Sequence, residues 1–299
     1  MDILDRIAQA YANFANYLWQ DITHPHFRSF FWWTVGLSLF FFVLEVVHPW
    51  RKGQAILRKD FWLDLFYIAF NFFLFALIGW FAVQQLILAG LAWAFAWAGY
   101  DNGLAKVVAG LPAWAYYPLL FIVADFISWN VHRLLHRVPW LWEFHKLHHS
   151  VEQMGFAAHV RYHWMENVVY WAFRFVPLTL LGFDVVDIFW IHIFNVAWGH
   201  FNHANITVPP RSSGAIVGLL IGLGIGLGVT DVWWQWALIA IGGKLVGYIL
   251  LGPYMRYLFN SPEMHLWHHA YTLPAERPVG VNFGITLAIW DYLWGTDYV

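Results

Sequence analysis

Apolar residues run along this chain in long blocks, not in the three-to-four-residue stripes of a water-facing helix. The first block is Phe30 to Val47, followed by a basic turn holding Arg51, Lys52, Arg58 and Lys59. The second runs from Phe61 to about Val83, and residues 84–98 continue apolar as an interfacial or re-entrant helix. A third starts near Pro112 and reaches about Trp129, with Asn130, His132, Arg133, Arg137 and Lys146 just beyond. A helix crosses a bilayer with roughly 20 mainly apolar residues, so each block predicts a span. Segments 168–182 and 184–199 are shorter, carry Arg174, Asp184, Asp187 and His192, and predict half-spans. Pro209, Pro210, Ser212 and Ser213 mark a loop, and 214–229 with 232–251 predict a helical hairpin.

The polar positions between the blocks set an orientation. Lys and Arg collect on the cytoplasmic side of membrane proteins. The Arg51–Lys59 turn and the Arg133–Lys146 region lie on one side if two spans join them, which places the first histidine clusters in the cytoplasm. At the N-terminus, Ile3, Leu4, Ile7 and Tyr11 share a face of a short interfacial helix or belong to a frayed end. That segment lacks the basic start and cleavage site of a signal peptide. Gly214, Gly218, Gly222 and Gly226 recur every four residues, a smooth face for close helix contact. The same stretch has no Lys, no GxGxxG spacing and no preceding strand, which excludes a nucleotide loop.

Composition agrees with a lipid solvent. Of 299 residues, 61% are hydrophobic and only 11% charged, against about 25% charged in soluble domains. The net charge of −2 with no basic block speaks against nucleic-acid binding. The chain has no cysteine, which excludes disulfides, thiolate metal sites and iron–sulfur clusters within it. The 22 tryptophans read chiefly as an interfacial belt. Trp129, Trp140, Trp142, Phe144 and Trp267, close to the histidines, are also placed to wall a lipid channel.

Ten of the sixteen histidines fall into four clusters: His132 and His136; His145, His148 and His149; His200 and His203; His265, His268 and His269. On a helix, residues three or four apart share a face, so each cluster aims its imidazoles in one direction. Imidazole suits iron, zinc, copper and nickel. Ten ligands exceed the needs of one ion, and two ions with positions left open for oxygen is the economical count. The residues alone leave iron and zinc open. His159 and His192 stand outside the clusters and read as hydrogen-bonded structural histidines. Glu143, Glu152 and Glu166 are either acceptors for ligand imidazoles or solvated surface acids.

HxxxH, HxxHH and a late HxxHH together resemble the fatty acid hydroxylase/sterol desaturase superfamily of membrane di-iron enzymes. The resemblance extends to Asp125, seven residues before His132, to RYHWME at 161–166 with Trp164 in place of a proline, and to HANI at 203–206. It continues through FNSPEMHLWHH at 259–269, NFG at 282–284 and WDYLWGT at 290–296. It covers about residues 120–296, and the link between HANI and the last box is longer than the family pattern.

The resemblance implies His132, His136, His145, His148, His149, His203, His265, His268 and His269 as metal ligands, with His200 less firmly matched. It also implies a catalytic supporting role or a ligand role for His163, and a supporting role for Asp125, which lies two helical turns before His132 and is placed to accept an imidazole N–H. Two iron ions, with zinc an alternative in purified protein, and O2 as co-substrate are the implied cofactors.

The expected architecture is all-α: a polytopic membrane helical bundle with a cytosol-facing histidine-rich metal site. Residues 1–131 form N-terminal membrane spans, and residues 132–299 form a histidine-box catalytic region, the two making one integrated domain. The expected location is a bacterial inner membrane or the endoplasmic reticulum. The expected activity is hydroxylation of a lipid, with desaturation on the same site or a histidine-lined metal transporter as alternatives. No GxGxxG after a strand and no HPGG haem segment is present, so the expected electron source is a separate ferredoxin or b-type cytochrome with its reductase. Homodimer packing is one role open to the glycine face.

Overall fold

The computed structural model describes residues 3–99 and 101–298 and is α-helical throughout; among these residues the only extended pairing is one bridge between Phe259 and Leu287. Among the described residues four helices are long and apolar enough to cross a membrane: Phe30–Val47, Phe61–Trp97, Ala113–Arg137 and Trp233–Leu258. We call them α2, α3, α5 and α10. The other main elements are α1 (Ile3–Thr23), α4 (Gly103–Ala109), α6 (Pro139–His145), α7 (residues 164–180), α8 (Val185–His203), α9 (Pro210–Val229), α11 (Pro262–His268) and α12 (Ile289–Trp294).

The blocks became helices close to where the hydropathy pattern put them, with extensions: α9 starts at Pro210, so Ser212 and Ser213, expected in a loop, are helical, α10 runs on to Leu258, and two more bear on the site. α3 runs on through the segment expected to be a separate re-entrant helix. It bends at Gly79, whose φ of 146° is open to glycine alone, and a Cβ there would meet the Tyr11 hydroxyl at 2.9 Å. α5 continues past Trp129 through His132 and His136 to Arg137, so the first histidine box is the last turn of an apolar helix.

α1 is a continuous helix that packs through Ala10, Phe14 and Asp21. Phe14 stacks on Phe81 at 4.9 Å, Tyr11 donates to the Ile78 carbonyl at 2.7 Å, and Asp21 accepts the Phe31 amide at 2.8 Å. Leu4 and Tyr11, which the sequence pattern puts on one face of an interfacial helix, are exposed; the side chain of Ile3 lies outside the described residues. Helix-to-helix contact, not apolarity, selects the buried face of α1.

Three packed clusters join the elements. Phe41, Phe61 and Ile68 of α2 and α3 pack on Phe156, Ala157, Val160, Ala204 and Ile206. Val131, Leu135 and Leu141 pack on Val169 beside the histidines. Tyr116, Leu120 and Ala124 meet Leu178, Phe183 and Ile188 toward the opposite end.

α9 and α10 form the expected hairpin. A Cβ at Gly222 would lie 2.6 Å from the Ile239 carbonyl oxygen, and one at Gly226 would lie 2.9 Å from the Trp236 Cα. The glycine face is therefore filled from within the chain, by a partner helix that carries its own Gly243 and Gly247 against Gly218 and Gly214.

The first basic segment touches the stretch that follows the second histidine box. Lys59 pairs with Glu152 at 2.7 Å, and Gln54 donates to the Met154 carbonyl at 2.8 Å. Beneath them Asp64 is fully buried and bonded to both Arg58 and Arg161. A buried carboxylate held by two guanidiniums ties the start of α3 to the segment that follows the second histidine box.

Candidate metal centre

Nine histidines converge at this end of the bundle. His132, His136, His145, His149 and His268 form one group, and His148, His203, His265 and His269 form a second. Within each group one ligand nitrogen per residue lies within 4.8 Å of the others. The HxxHH boxes are split between groups: His145 and His149 go to the first and His148 to the second, while His268 goes to the first and His265 and His269 to the second. The expectation that each box aims in one direction therefore holds for residues four apart and fails for those three apart or adjacent, so one box serves two groups.

The tautomers can be read from the partners, because a carbonyl oxygen only accepts. Nδ1–H of His132 donates to Phe283 O at 2.8 Å, that of His136 to Val279 O at 3.1 Å, and that of His268 to Val281 O at 2.7 Å. His203 donates likewise to Gly199 O at 2.7 Å and His148 to Arg161 O at 3.3 Å. His145 Nδ1 bonds the Glu166 carboxylate at 3.0 Å. With Nδ1 protonated, the Nε2 lone pair points inward, the arrangement a metal requires.

The inward nitrogens crowd one another: His136 and His149 at 3.1 Å, His148 and His203 at 3.2 Å, His203 and His265 at 3.0 Å, and His265 and His269 at 3.2 Å. The inward Nε2 atoms of His145 and His268 are buried with no hydrogen-bond partner. Lone pairs that face lone pairs in a dry site repel unless a cation sits among them, so this donor set fits metal ions. Burial, followed by neighbouring imidazoles, holds His149, His265, His268 and His269 well below the usual histidine range, and His148 is lowered to about 3. Burial thus keeps the rings in the neutral, ligating form.

The carbonyls that orient the first group come from alternate residues of one loop, Val279, Val281 and Phe283. Four side chains from distant elements hold this loop. Asp291 accepts the amides of Phe283 at 2.9 Å and Gly284 at 2.7 Å, and the indole of Trp129 at 3.0 Å. Asn260 donates to Gly284 O, and Asn202 to Ile285 O at 2.8 Å. Asn282, at φ 52°, donates to the Met264 and Tyr298 carbonyls; asparagine is among the few residues that tolerate that backbone.

Asp125 is the fourth anchor. It accepts the amides of Thr286 at 3.1 Å and Leu287 at 3.2 Å and the indole of Trp290 at 2.8 Å. Its contacts are to the loop and not to an imidazole; it reaches His132 only through the chain that presents Phe283 O.

The remaining expected residues lie apart from the two groups. His200 is fully buried and contacts Ser38 Oγ at 3.2 Å and His159 at 3.3 Å. His163 caps the N-terminus of α7 by accepting the Met165 amide at 3.2 Å, and stacks near Phe144. Of the three glutamates, Glu166 meets the His145 imidazole, while Glu143 and Glu152 pair with Lys146 and Lys59 at the surface. The RYHWME stretch therefore contributes Arg161 and Glu166 to the histidine surroundings and His163 to a helix cap.

A cavity of about 560 Å³ opens onto both groups, touching His132 and His145 of one and His148, His203 and His265 of the other. From there it descends between α1, α3, α7 and α8, walled by Phe30, Phe72, Trp80, Phe81, Trp171 and Phe189. His159 and His192 line it as well. Trp129, one of the aromatics placed near the boxes by the sequence, is instead buried against Asp291. The walls come from residues the sequence distributes over several helices, so no local pattern marks them.

Comparison with known proteins follows this geometry. The fatty acid hydroxylase family model matches residues 117–221. The chain is 26% identical to the ornithine lipid hydroxylase OlsE of Rhizobium tropici over 58% of its own length and 39% of that protein's. It is 27% identical to the fatty acid hydroxylase vlmA of Lecanicillium sp over 63% of its length and 44% of that protein's. The chain thus spans less than half the length of either relative. No solved structure matches it. These matches make the chain similar to fatty acid hydroxylases, and the family model covers the segment that carries Asp125, the first two histidine boxes and HANI.

Proposed function

We propose that this chain is a membrane-embedded di-iron oxygenase that hydroxylates a lipid with O2. The observation that carries this reading is the apolar cavity ending on two facing histidine groups. His132, His136, His145, His149 and His268 would hold one iron, and His148, His203, His265 and His269 the other. Bound iron would supply the reductive activation of O2, with one oxygen atom entering a C–H bond and the other leaving as water at the expense of two electrons and two protons. The chain's own residues do the rest. The carbonyl loop and Glu166 orient the rings. The aromatic walls exclude water and align an aliphatic chain toward the histidines.

In this reading the N-terminal spans and the histidine-box region act as one domain, supported by the core that Phe41, Phe61 and Ile68 share with Phe156 and Ala204. The histidine end faces the cytosol, supported by Arg51, Lys52, Arg58, Lys59, Arg133, Arg137 and Lys146 at that end. A separate electron carrier docks there. Mass spectrometry of lipids from cells with and without the chain tests the activity. A lipid that gains one oxygen atom supports hydroxylation. Loss of two hydrogens would point to desaturation, and unchanged lipids together with iron-free protein would sink the reading.

A further inference from the structure

Arg174 lies on the cavity wall, in the π-helical turn Trp171–Phe175 of α7. Its Nε is buried and has no partner. Its Nη1 and Nη2 reach only a neutral amide: Asn195 Oδ1 accepts from Nη1 at 3.3 Å and from Nη2, in the amide orientation that satisfies both groups. The other interior arginines differ, since Arg58 and Arg161 share the carboxylate of Asp64. Among the described residues no carboxylate comes within ion-pair distance of Arg174. Asp125 is in Coulombic range, but its oxygens are taken by Thr286, Leu287 and Trp290. Gln84 is likewise occupied, accepting the indole N–H groups of Trp80 at 3.1 Å and Trp171 at 2.9 Å.

A guanidinium does not shed its proton, so this is a permanent charge, partly exposed on the wall of an aromatic-lined cavity. Such a charge is strongly disfavoured without a counter-charge, and within a membrane protein it marks a ligand site by default. Two helices measure its depth. On α7, Arg174 stands eight residues from Glu166, which contacts His145; on α8, Asn195 stands eight residues from His203. Each interval is about 12 Å at 1.5 Å per residue.

Building on the lipid oxygenase reading, we propose that Arg174, with Asn195, binds the anionic group of an acidic amphiphile, a carboxylate or a phosphate. The aliphatic chain of that amphiphile reaches the histidines about 12 Å away. The fork of the guanidinium suits either anion, because both offer paired oxygens. The charge then fixes which carbon is presented to the histidine groups, so Arg174 sets both substrate class and register.

The test is binding, read by tryptophan fluorescence, since Trp80 and Trp171 line the cavity. Purified protein in neutral detergent is titrated with hexadecanoate, its methyl ester and hexadecyl phosphate. The wild type is expected to bind at least one anion about tenfold or more tighter than the ester. R174Q keeps an amide partner for Asn195; it should bring the anion's affinity down to that of the ester while leaving ester binding unchanged. R174K should keep part of the preference. Preference for hexadecanoate or for the phosphate names the source of the anion. Equal binding of ester and anions by the wild type, or a preference that survives in R174Q, overturns the proposal. Ester binding that persists in that case leaves the lipid oxygenase reading standing, whereas a wild type that binds none of the three probes sinks both.

Discussion

His145 and Glu166, 21 positions apart in the sequence, meet at 3.0 Å, with the imidazole Nδ1 facing the carboxylate and both side chains almost wholly buried. A carboxylate behind a ligand imidazole fixes the ring and raises the basicity of its other nitrogen. Glu166→Gln preserves shape and removes the charge. Metal affinity, measured by chelator competition on the purified protein, should fall about 10–100-fold with the fold intact. Unchanged affinity would leave Glu166 a packing role only.

The two histidine groups predict separable losses. His268→Ala and His203→Ala each remove a donor from a different group, so metal content should drop from about two ions per chain to about one in either variant. His200→Ala, whose ring contacts Ser38 and His159, should retain both. Elemental analysis with circular dichroism as a folding control checks this. Full metal in the first two variants would sink the ligand assignment.

Asp125 predicts a coupled loss. Asn at this site retains one acceptor and turns its NH2 toward N–H donors of the loop. Asp125→Asn should cost about 1–3 kcal/mol of stability through those unmet bonds, and metal binding should weaken with it because the loop presents Phe283 O to His132. The check is a thermal melt with and without metal. A variant that loses metal at wild-type stability would mean Asp125 acts on the imidazoles by another route.

The glycine hairpin is sensitive to volume. Leucine at Gly218 or Gly222 would place side-chain atoms where the backbone of α10 now lies, and overpacking typically costs about 1–3 kcal/mol. The melting temperature in detergent should fall for both variants. Wild-type stability would show that the hairpin opens freely.

Orientation has a clean probe because the chain has no cysteine. Single cysteines replacing Ala55 and Val151 should label from the same side of the membrane, and from the cytosolic side, given the adjoining Lys and Arg. Labelling from opposite sides would contradict the contact between Lys59 and Glu152.

Much of this protein was legible in its sequence for a local reason. Apolar blocks such as Phe30–Val47 announce helices whose length and solvent follow from composition alone. The histidine boxes announce a candidate metal centre because a turn of helix gathers residues that could ligate. What only the tertiary structure decided involves groups with no local signature. The partition of His148 from His145 and His149 depends on which distant ring faces each one. His132 is oriented by a backbone carbonyl 151 residues away, and every residue owns a carbonyl, so no side-chain pattern marks it. Asp125 was visible as an acid one face from His132, yet its partners proved to be loop amides that come near only when the C-terminal segment folds back. Arg174 read as one charge in a short apolar segment; its isolation, and hence its meaning, arises because packing brings it an amide from α8 and, among the described residues, no carboxylate.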